Sequence, residues 1–500
     1  MKNSEETSWN KIKETFKKIW GYDNFRPPQE EIINCLLTGK DALIIMPTGG
    51  GKSICFQLPA LLKKGLTLVI TPLVALMENQ VEELSDRSLP ASLLHSQLTR
   101  EKKRQTLQKI EQNQLRLLYL SPETLFNQKI WNLLSKSQTK INGLILDEAH
   151  CLVEWGETFR PAYRRLGAVR QTLIKSKPPG TKISVAAFTA TADPQAQKNI
   201  KTALQLRNPK TYLISPYRNN LQLKIQHICT SRSRYQQLLK FIKTREKQSG
   251  IVYVRTRKDS EKLAETLREK NYQTTSYHAG LRAEERQHIE KAWSKGEINF
   301  VVCTSAFGMG INKPDVRWVI HFQAPSLLSE YIQEIGRGGR DGKPAEALTL
   351  ISEPTGWLDP EDKQRQKFLA DKLKLEYQRA EKLIKQLPTR GNINLLKDEY
   401  PHAANALSIL HSSGKLRWYD PFNYVMINNS KKVSLNYNSK VKDLNKYFAT
   451  RKCRWQFLLE VFGFSQEAQN IGYMGCGHCD NCLKKRKKKK VRNKNFSFNS

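Results

Sequence analysis

The chain has 500 residues, with 83 Lys and Arg against 47 Asp and Glu, for a formal net charge of +36. At about 150 residues per domain this leaves room for about three folded units, and 39% hydrophobic residues with 9% aromatics exclude a disordered chain. No apolar run reaches the about 18–20 residues of a membrane span. The polar start MKNSEETSW is unlike a secretory or organellar leader. Nine cysteines are too few for a disulfide framework and fit a reducing cytoplasm. The final 17 residues carry nine Lys or Arg, seven of them consecutive from Lys484 to Lys490, and no acid. Residues 1–483 still carry +27 without them, so the folded body suits a polyanionic partner. A merely cationic soluble protein is the plainer alternative.

Apolar strands alternate with helical stretches from residue 41 to about 352. Strands are predicted over 41–47, 66–71, 115–121, 142–148 and 183–190, and in a second series over 250–256, 298–305, 316–322 and 346–352. Such alternation predicts parallel sheets covered on both faces. The expected fold is therefore α/β, with two doubly wound domains, 1–208 and 209–352, joined near NPKTYLISPYRNN (208–220). Beyond them a long helix is predicted over 358–387, ended by Pro388. Two short helices and a hairpin over 417–427 follow. Three helices and a hairpin make the region 353–435 mainly helical and winged-helix-like; a helical spacer bracing the second domain is an equal reading. Residues 436–483 combine one basic amphipathic helix, 440–463, with a cysteine cluster, and 484–500 are expected to be a disordered basic tail.

The segment MPTGGGKS (46–53) follows a predicted strand and opens an apolar-periodic run. Thr48, Gly49, Gly50 and Gly51 can curl so that backbone N–H groups point at a phosphate, which side chains would obstruct. Lys52 can reach the β- and γ-phosphates of ATP, and Ser53 can bind Mg²⁺ at the helix start. Met46 stands where the strict pattern has a glycine. About 95 residues later DEAH (147–150) ends another strand. Asp147 is placed to anchor the Mg²⁺, and Glu148 to orient or deprotonate the attacking water.

Cys476, Cys479 and Cys482 are spaced by two residues, with Cys453 upstream: four thiolates, the number a structural Zn²⁺ requires. His478 is a second-ranked ligand, and a redox dithiol is the competing reading. Cys35, Cys55, Cys151, Cys229 and Cys303 are expected to be packing residues.

FRPPQEEII (25–33), TPLVALMENQ (71–80), FTATA (188–192), YHAGL (277–281), TSAFGMGINKPDVRWVIH (304–321) and EYIQEIGRGGRDG (330–342) together resemble the motif series of the RecQ DNA helicases of superfamily 2, in a short bacterial form. The resemblance implies two tandem RecA-like parallel-sheet domains and a zinc-binding module. It also implies that Tyr22 stacks on adenine, Arg26 supports it and Gln29 bonds its edge. Arg337 and Arg340, three residues apart in a glycine-rich segment, would stabilise charge building on the γ-phosphate. CLVEWGETFRPAYRRL (151–166) resembles the family's aromatic-rich sensor of single-stranded DNA. Trp155 and Phe159 would stack on bases, and Arg160 would contact phosphate or link back to the nucleotide. Three features depart from the family. Glu157 replaces a usual His, Val153 and Glu154 replace Ser-Gln, and Gly339 replaces an alanine, a change expected to be sterically mild.

By this resemblance the chain is expected to be an ATP-dependent 3′→5′ DNA helicase of recombination and repair, using ATP, Mg²⁺ and Zn²⁺. Its expected partner is DNA, single-stranded or duplex with a 3′ tail, and no membrane. It is expected to be a monomer, cytoplasmic and nucleoid-associated, with single-strand-binding or recombination proteins as candidate partners. The rivals are an RNA-dependent ATPase of the same superfamily and a non-enzymatic DNA-binding or annealing protein.

Overall fold

The structure is a computed structural model that describes residues 2–154, 160–308, 313–353, 355–427 and 437–487. Trp155, Glu157 and Phe159, and residues 488–500 of the basic tail, lie outside these. The chain divides into two compact units, residues 1–214 with 376–434, and residues 215–375 with 435–500.

The first unit is built on seven strands: β1 (Ala42–Ile45), β2 (Leu66–Ile70), β3 (Ala91–Leu94), β4 (Leu117–Leu120), β5 (Ile141–Leu146), β6 (Ser184–Thr189) and β7 (Lys210–Leu213). They lie in the order β3-β4-β2-β5-β6-β1-β7, all parallel. Successive residues of one strand enter different cores. Leu43, Ile45, Leu68, Leu146 and Val185 pack on one side, and Ile44, Val69, Ile145, Ala186 and Phe188 on the other. Burial on both faces is why these strands read as unbroken apolar runs. The first sheet takes in β7, so it continues past residue 208.

The second unit repeats the plan with β8 (Leu221–Ile228), β9 (Gly250–Tyr253), β10 (Thr274–Tyr277), β11 (Phe300–Cys303), β12 (Trp318–His321) and β13 (Ala345–Ser352). Their order is β10-β11-β9-β12-β13-β8, again all parallel. The cysteine-bearing module packs here: Tyr447, Trp455, Leu458 and Cys479 share a core with Leu221, Leu223 and Tyr331.

Between the second sheet and that module, the chain returns to the first unit. The helix Glu361–Ile384 leads into β14 (Arg390–Asn392), the helices Ile393–Glu399 and Ala403–Ser412, β15 (Leu416–Trp418) and β16 (Asn423–Met426). The antiparallel order β14-β16-β15 completes a winged-helix topology. Its core is shared with Ala168 of the first unit, so residues 376–427 brace the first domain. The stretch before them ties to the second, as the spacer reading had it, Asp359 and Asp362 pairing with Arg234.

The single helix expected over 440–463 is two, Tyr437–Ala449 and Arg454–Val461, with Cys453 as N-cap of the latter. The break lets Cys453 turn toward the other cysteines. A helix over 480–487 carries Lys484–Lys487, which were expected to belong to a disordered tail. It grows directly from the cysteine knuckle, Leu483 N–H donating to Cys479 O at 3.0 Å.

Candidate ATPase and zinc sites

The glycine loop lies between β1 and the helix Lys52–Leu62. Gly49 and Gly51 have φ of 83° and 78°, a region that L side chains enter at a cost. A Cβ on Gly51 would come within 2.3 Å of Gln29 Nε2, and one on Gly50 within 2.7 Å of Met46 Cγ. The loop is thus closed around by Gln29 and Met46, and only glycine fits. Gly51 caps the helix, so the first N–H groups of Lys52–Leu62 face the loop, a ready anion site.

Gln29 is almost fully buried. It accepts from Arg26 N–H at 2.9 Å and donates to Gly50 O at 3.2 Å and Gly51 O at 3.4 Å. Arg26 Nη1 donates to Gly49 O at 3.4 Å. Both residues expected to recognise adenine therefore also shape the phosphate loop. Tyr22, half exposed, leans on Phe16 with ring centroids 5.9 Å apart, leaving ring surface open.

The DEAH segment leaves the end of β5 at the floor of the same site. Lys52 Nζ lies 3.4 Å from Glu148 Oε1 across 96 residues of sequence. Glu148 holds φ of 51°, a left-handed conformation uncommon for a non-glycine residue and typical of functional sites. Burial raises its pKa, but Lys52 and His150 outweigh that and hold the carboxyl well below the usual range. Asp147 beside it is pushed the other way, by burial and by the charge of Glu148. Asp147 accepts from Gln80 Nε2 at 3.3 Å and from Glu148 N–H at 3.0 Å. Lys52 and His150 both answer Glu148, and Asp147 beside it remains raised by burial and by the charge of Glu148. That is the environment a divalent cation fits, with Asp147 and Ser53 as the residues that would hold Mg²⁺.

His150 extends the site. Its Nδ1 lies 3.2 Å from Glu148 Oε2 and 3.1 Å from Thr189 Oγ1, and Thr189 Oγ1 accepts from Thr191 N–H at 3.3 Å. FTATA is thereby wired to the acid pair. Gln80, His150 and Thr189 are not singled out by the sequence analysis; Gln80 and His150 each end a motif, 71–80 and 147–150, and Thr189 lies inside FTATA. Arg160 lies 3.6 Å from Glu123.

Arg337 and Arg340 belong to the second unit. Arg337 is buried and donates to Gly308 O. Gly308 has φ of 108°, and a Cβ there would fall 2.2 Å from Arg337 Cζ. Arg218 braces the same turn, donating to Gly336 O at 2.9 Å and Gly338 O at 2.6 Å. Burial pushes Arg340 down to about 9, and the like charges of Arg337 and Arg218 push with it. It stays cationic at neutral pH, in a cluster that an anion would stabilise. Gly339, at φ of 58°, would put a Cβ 2.6 Å from Asn220 Nδ2 and 2.7 Å from Lys343 O. This backbone requires the glycine, so the departure is not the mild one expected.

The four cysteines Cys453, Cys476, Cys479 and Cys482 bring their sulfurs within 4.8 Å of one another. Cys476 and Cys482 are 3.9 Å apart, as are Cys479 and Cys453. Four Zn–S bonds of about 2.3 Å in a tetrahedron give an edge of about 3.8 Å, so the set fits Zn²⁺. Backbone N–H groups of Cys476, Cys479 and Arg454 point at the sulfurs, as thiolates require. His478 instead faces Tyr217 Oη at 3.4 Å. Asp480 locks the site to the sheet, accepting from Arg454 Nε at 2.9 Å and from Ile225 N–H at 3.2 Å. Of the remaining cysteines, Cys35, Cys55, Cys151 and Cys303 are buried, as expected of packing residues, whereas Cys229 is exposed.

Comparison with known proteins agrees with this layout. Residues 26–200 match the DEAD/DEAH box helicase family, residues 233–342 the helicase conserved C-terminal domain and residues 423–483 the RecQ zinc-binding family. The ATP-dependent DNA helicase RecQ of Synechocystis sp. is 50% identical over 94% of this chain and 98% of its own. The RecQ helicase of Haemophilus influenzae is 41% identical over 70% of this chain and 56% of its own. Among solved structures, S. cerevisiae Dbp5 bound to RNA superposes with a TM-score of 0.55 at 17% identity, covering 70% of this chain and 90% of that one. Mycobacterium smegmatis Lhr bound to single-stranded DNA also gives 0.55, at 18% identity, over 85% of this chain and 60% of that one. These two likenesses show the two-domain RecA-like fold. The chain belongs to the RecQ family of ATP-dependent DNA helicases.

Proposed function

We propose that the chain, as a RecQ-family ATP-dependent DNA helicase, hydrolyses Mg·ATP to move 3′→5′ along single-stranded DNA and to unwind duplexes with a 3′ tail, in recombination and repair. The observation that carries the reading is the Lys52–Glu148 pair at 3.4 Å, which joins the glycine loop to the acid pair in a buried site. In this reading the loop N–H groups and Lys52 bind the β- and γ-phosphates, and Asp147 and Ser53 hold the cation that neutralises them. Glu148 orients or deprotonates the attacking water, its carboxylate kept ionised by Lys52 and His150. Arg337 and Arg340 meet the charge that develops on the γ-phosphate. Tyr22, Arg26 and Gln29 select adenine. Trp155, Phe159 and Arg160 grip the strand, and the net charge of +36 supports a sequence-independent hold on phosphates. The helicase works in the cytoplasm at the nucleoid, as a monomer.

The test is ATP hydrolysis by the full chain alone, with single-stranded DNA and with single-stranded RNA. Strong stimulation by DNA is expected. Equal or greater stimulation by RNA would favour an RNA-dependent ATPase, and no response to either would remove the motor reading.

A further inference from the structure

The winged helix of residues 376–427 is enclosed on the side by which such modules commonly meet DNA. In helix-turn-helix folds the third helix usually lies in the major groove. Here that helix is Ala403–Ser412, and Ala406, Leu407, Ser408, Ile409 and Leu410 are all buried. Five buried positions in succession cover more than a full helical turn, so both sides of the helix are occupied. The module's own core closes one side, and the 3₁₀ segment Pro161–Ala168 of the first domain closes the other. From Tyr163 to Ala168 that segment is buried at every position.

Arg165 lies at the centre of the contact. Its Cζ sits 4.1 Å from the ring centroid of Phe126, 5.7 Å from that of Phe422 and 5.8 Å from that of Trp418. The side chain is 3% exposed, and its Nε and Nη2 have no hydrogen-bond partner. Aromatic faces hold this charge as cation–π contacts, and the carboxylates of Glu123 and Asp420 favour it as well. Phe422 comes from the turn between β15 and β16, the wing itself. It meets Phe126 edge-on at 6.2 Å and Trp131 at 5.5 Å. The same short stretch of the first domain orients Arg160: Glu123, three residues before Phe126, lies 3.6 Å from it.

We propose that the inserted module acts from inside the motor: its third helix and wing brace residues 160–168, with Arg165 as the positioning residue that sets Arg160 for the DNA strand. This rests on the reading that residues 151–166 sense single-stranded DNA. A rigid 160–168 segment would hold Arg160 in register with Glu123 before any strand arrives, which lowers the ordering cost of binding.

The test measures ATP hydrolysis of the full chain against oligothymidylate concentration for wild type, Arg165→Lys, Phe422→Leu and Phe422→Trp. Lysine keeps the charge but not the planar face that stacks. Arg165→Lys and Phe422→Leu are expected to raise the half-saturating oligonucleotide concentration about tenfold, as the loss of one such contact would. Hydrolysis without DNA should stay within about twofold, and Phe422→Trp should restore the wild-type response. Unchanged half-saturation in both variants, or an equal loss of DNA-free hydrolysis, would overturn the proposal. If Phe422→Leu fails to fold, Arg165→Lys decides alone. A wild type that ignores the oligonucleotide would overturn the functional reading itself, and the brace with it.

Discussion

Arg255 grips Glu334 through two hydrogen bonds, of 3.1 and 2.7 Å, one helical turn before Arg337. Glu334 is buried and also lies 3.0 Å from His321 Nε2. Burial alone would raise its pKa, but Arg255 and then His321 pull it down to about 2. The folded pKa is below the unfolded one, so the contribution is complete above about pH 4.5 and is lost as pH falls toward 2. A shift of this size corresponds to about 3 kcal/mol at neutral pH. His321, held below its usual value by burial, adds a loss in the same direction below about pH 6.5. Thermal melts between pH 7 and 3 should therefore show a shallower acid decline in Glu334→Gln than in wild type, starting from a lower melting temperature. Parallel declines would contradict the pairing.

Gly308→Ala should uncouple the arginines from hydrolysis. The new Cβ would fall 2.2 Å from Arg337 Cζ, at a φ of 108° that alanine rarely adopts. Since an arginine at a transferring phosphoryl group is worth about 10³-fold or more, DNA-stimulated kcat is expected to drop by at least about 100-fold. KM for ATP should move by only a few-fold, because the glycine loop belongs to the other unit. Steady-state kinetics separates the two; a pure KM effect would show that Arg337 binds ground-state nucleotide only.

Metal content should follow Gly475 as closely as it follows the cysteines. A Cβ on Gly475 would lie 2.7 Å from Cys482 Sγ, and its φ is 73°. Gly475→Ala is expected to purify with well under one zinc per chain and to melt lower, as should Cys479→Ala. Elemental analysis of both variants checks this. Full zinc in Gly475→Ala would mean the fourth sulfur is dispensable.

Asp480→Asn separates holding zinc from docking the module. Asp480 bonds Arg454 and the Ile225 N–H but is outside the four-sulfur set. Leaving buried Arg454 without its carboxylate should cost about 3–5 kcal/mol, with zinc retained. A melting temperature equal to wild type would show the clamp to be idle.

In the two parallel sheets the strands invisible in the sequence are β3, β7, β8 and β10, and these are the four edges of those sheets; the three-residue β14 of the antiparallel sheet was equally invisible. Central strands are covered on both faces and read as apolar runs, whereas edges are mixed. In β7 only Tyr212 is even half-buried, and β8 alternates buried with half-buried or exposed residues. Lys52, Asp147, Glu148 and the four cysteines were legible because their chemistry demands fixed residue types at short spacings. Gly308 and Gly475 were not, since what makes them necessary is a side chain 29 or 7 residues away that packs where a Cβ would sit. The docking of the winged helix was equally hidden. Arg165 reads as one more cation in a basic chain until Phe126, Trp418 and Phe422 surround it.

The central claim is that ATP held by the glycine loop and split by the acid pair drives strand separation. Strand displacement on a 3′-tailed duplex, comparing wild type with Lys52→Ala, tests it most directly. Wild type should unwind only with Mg·ATP, and Lys52→Ala should lose both hydrolysis and unwinding while still binding the tailed DNA. Unwinding by Lys52→Ala at the wild-type rate, or by wild type without nucleotide, would contradict it.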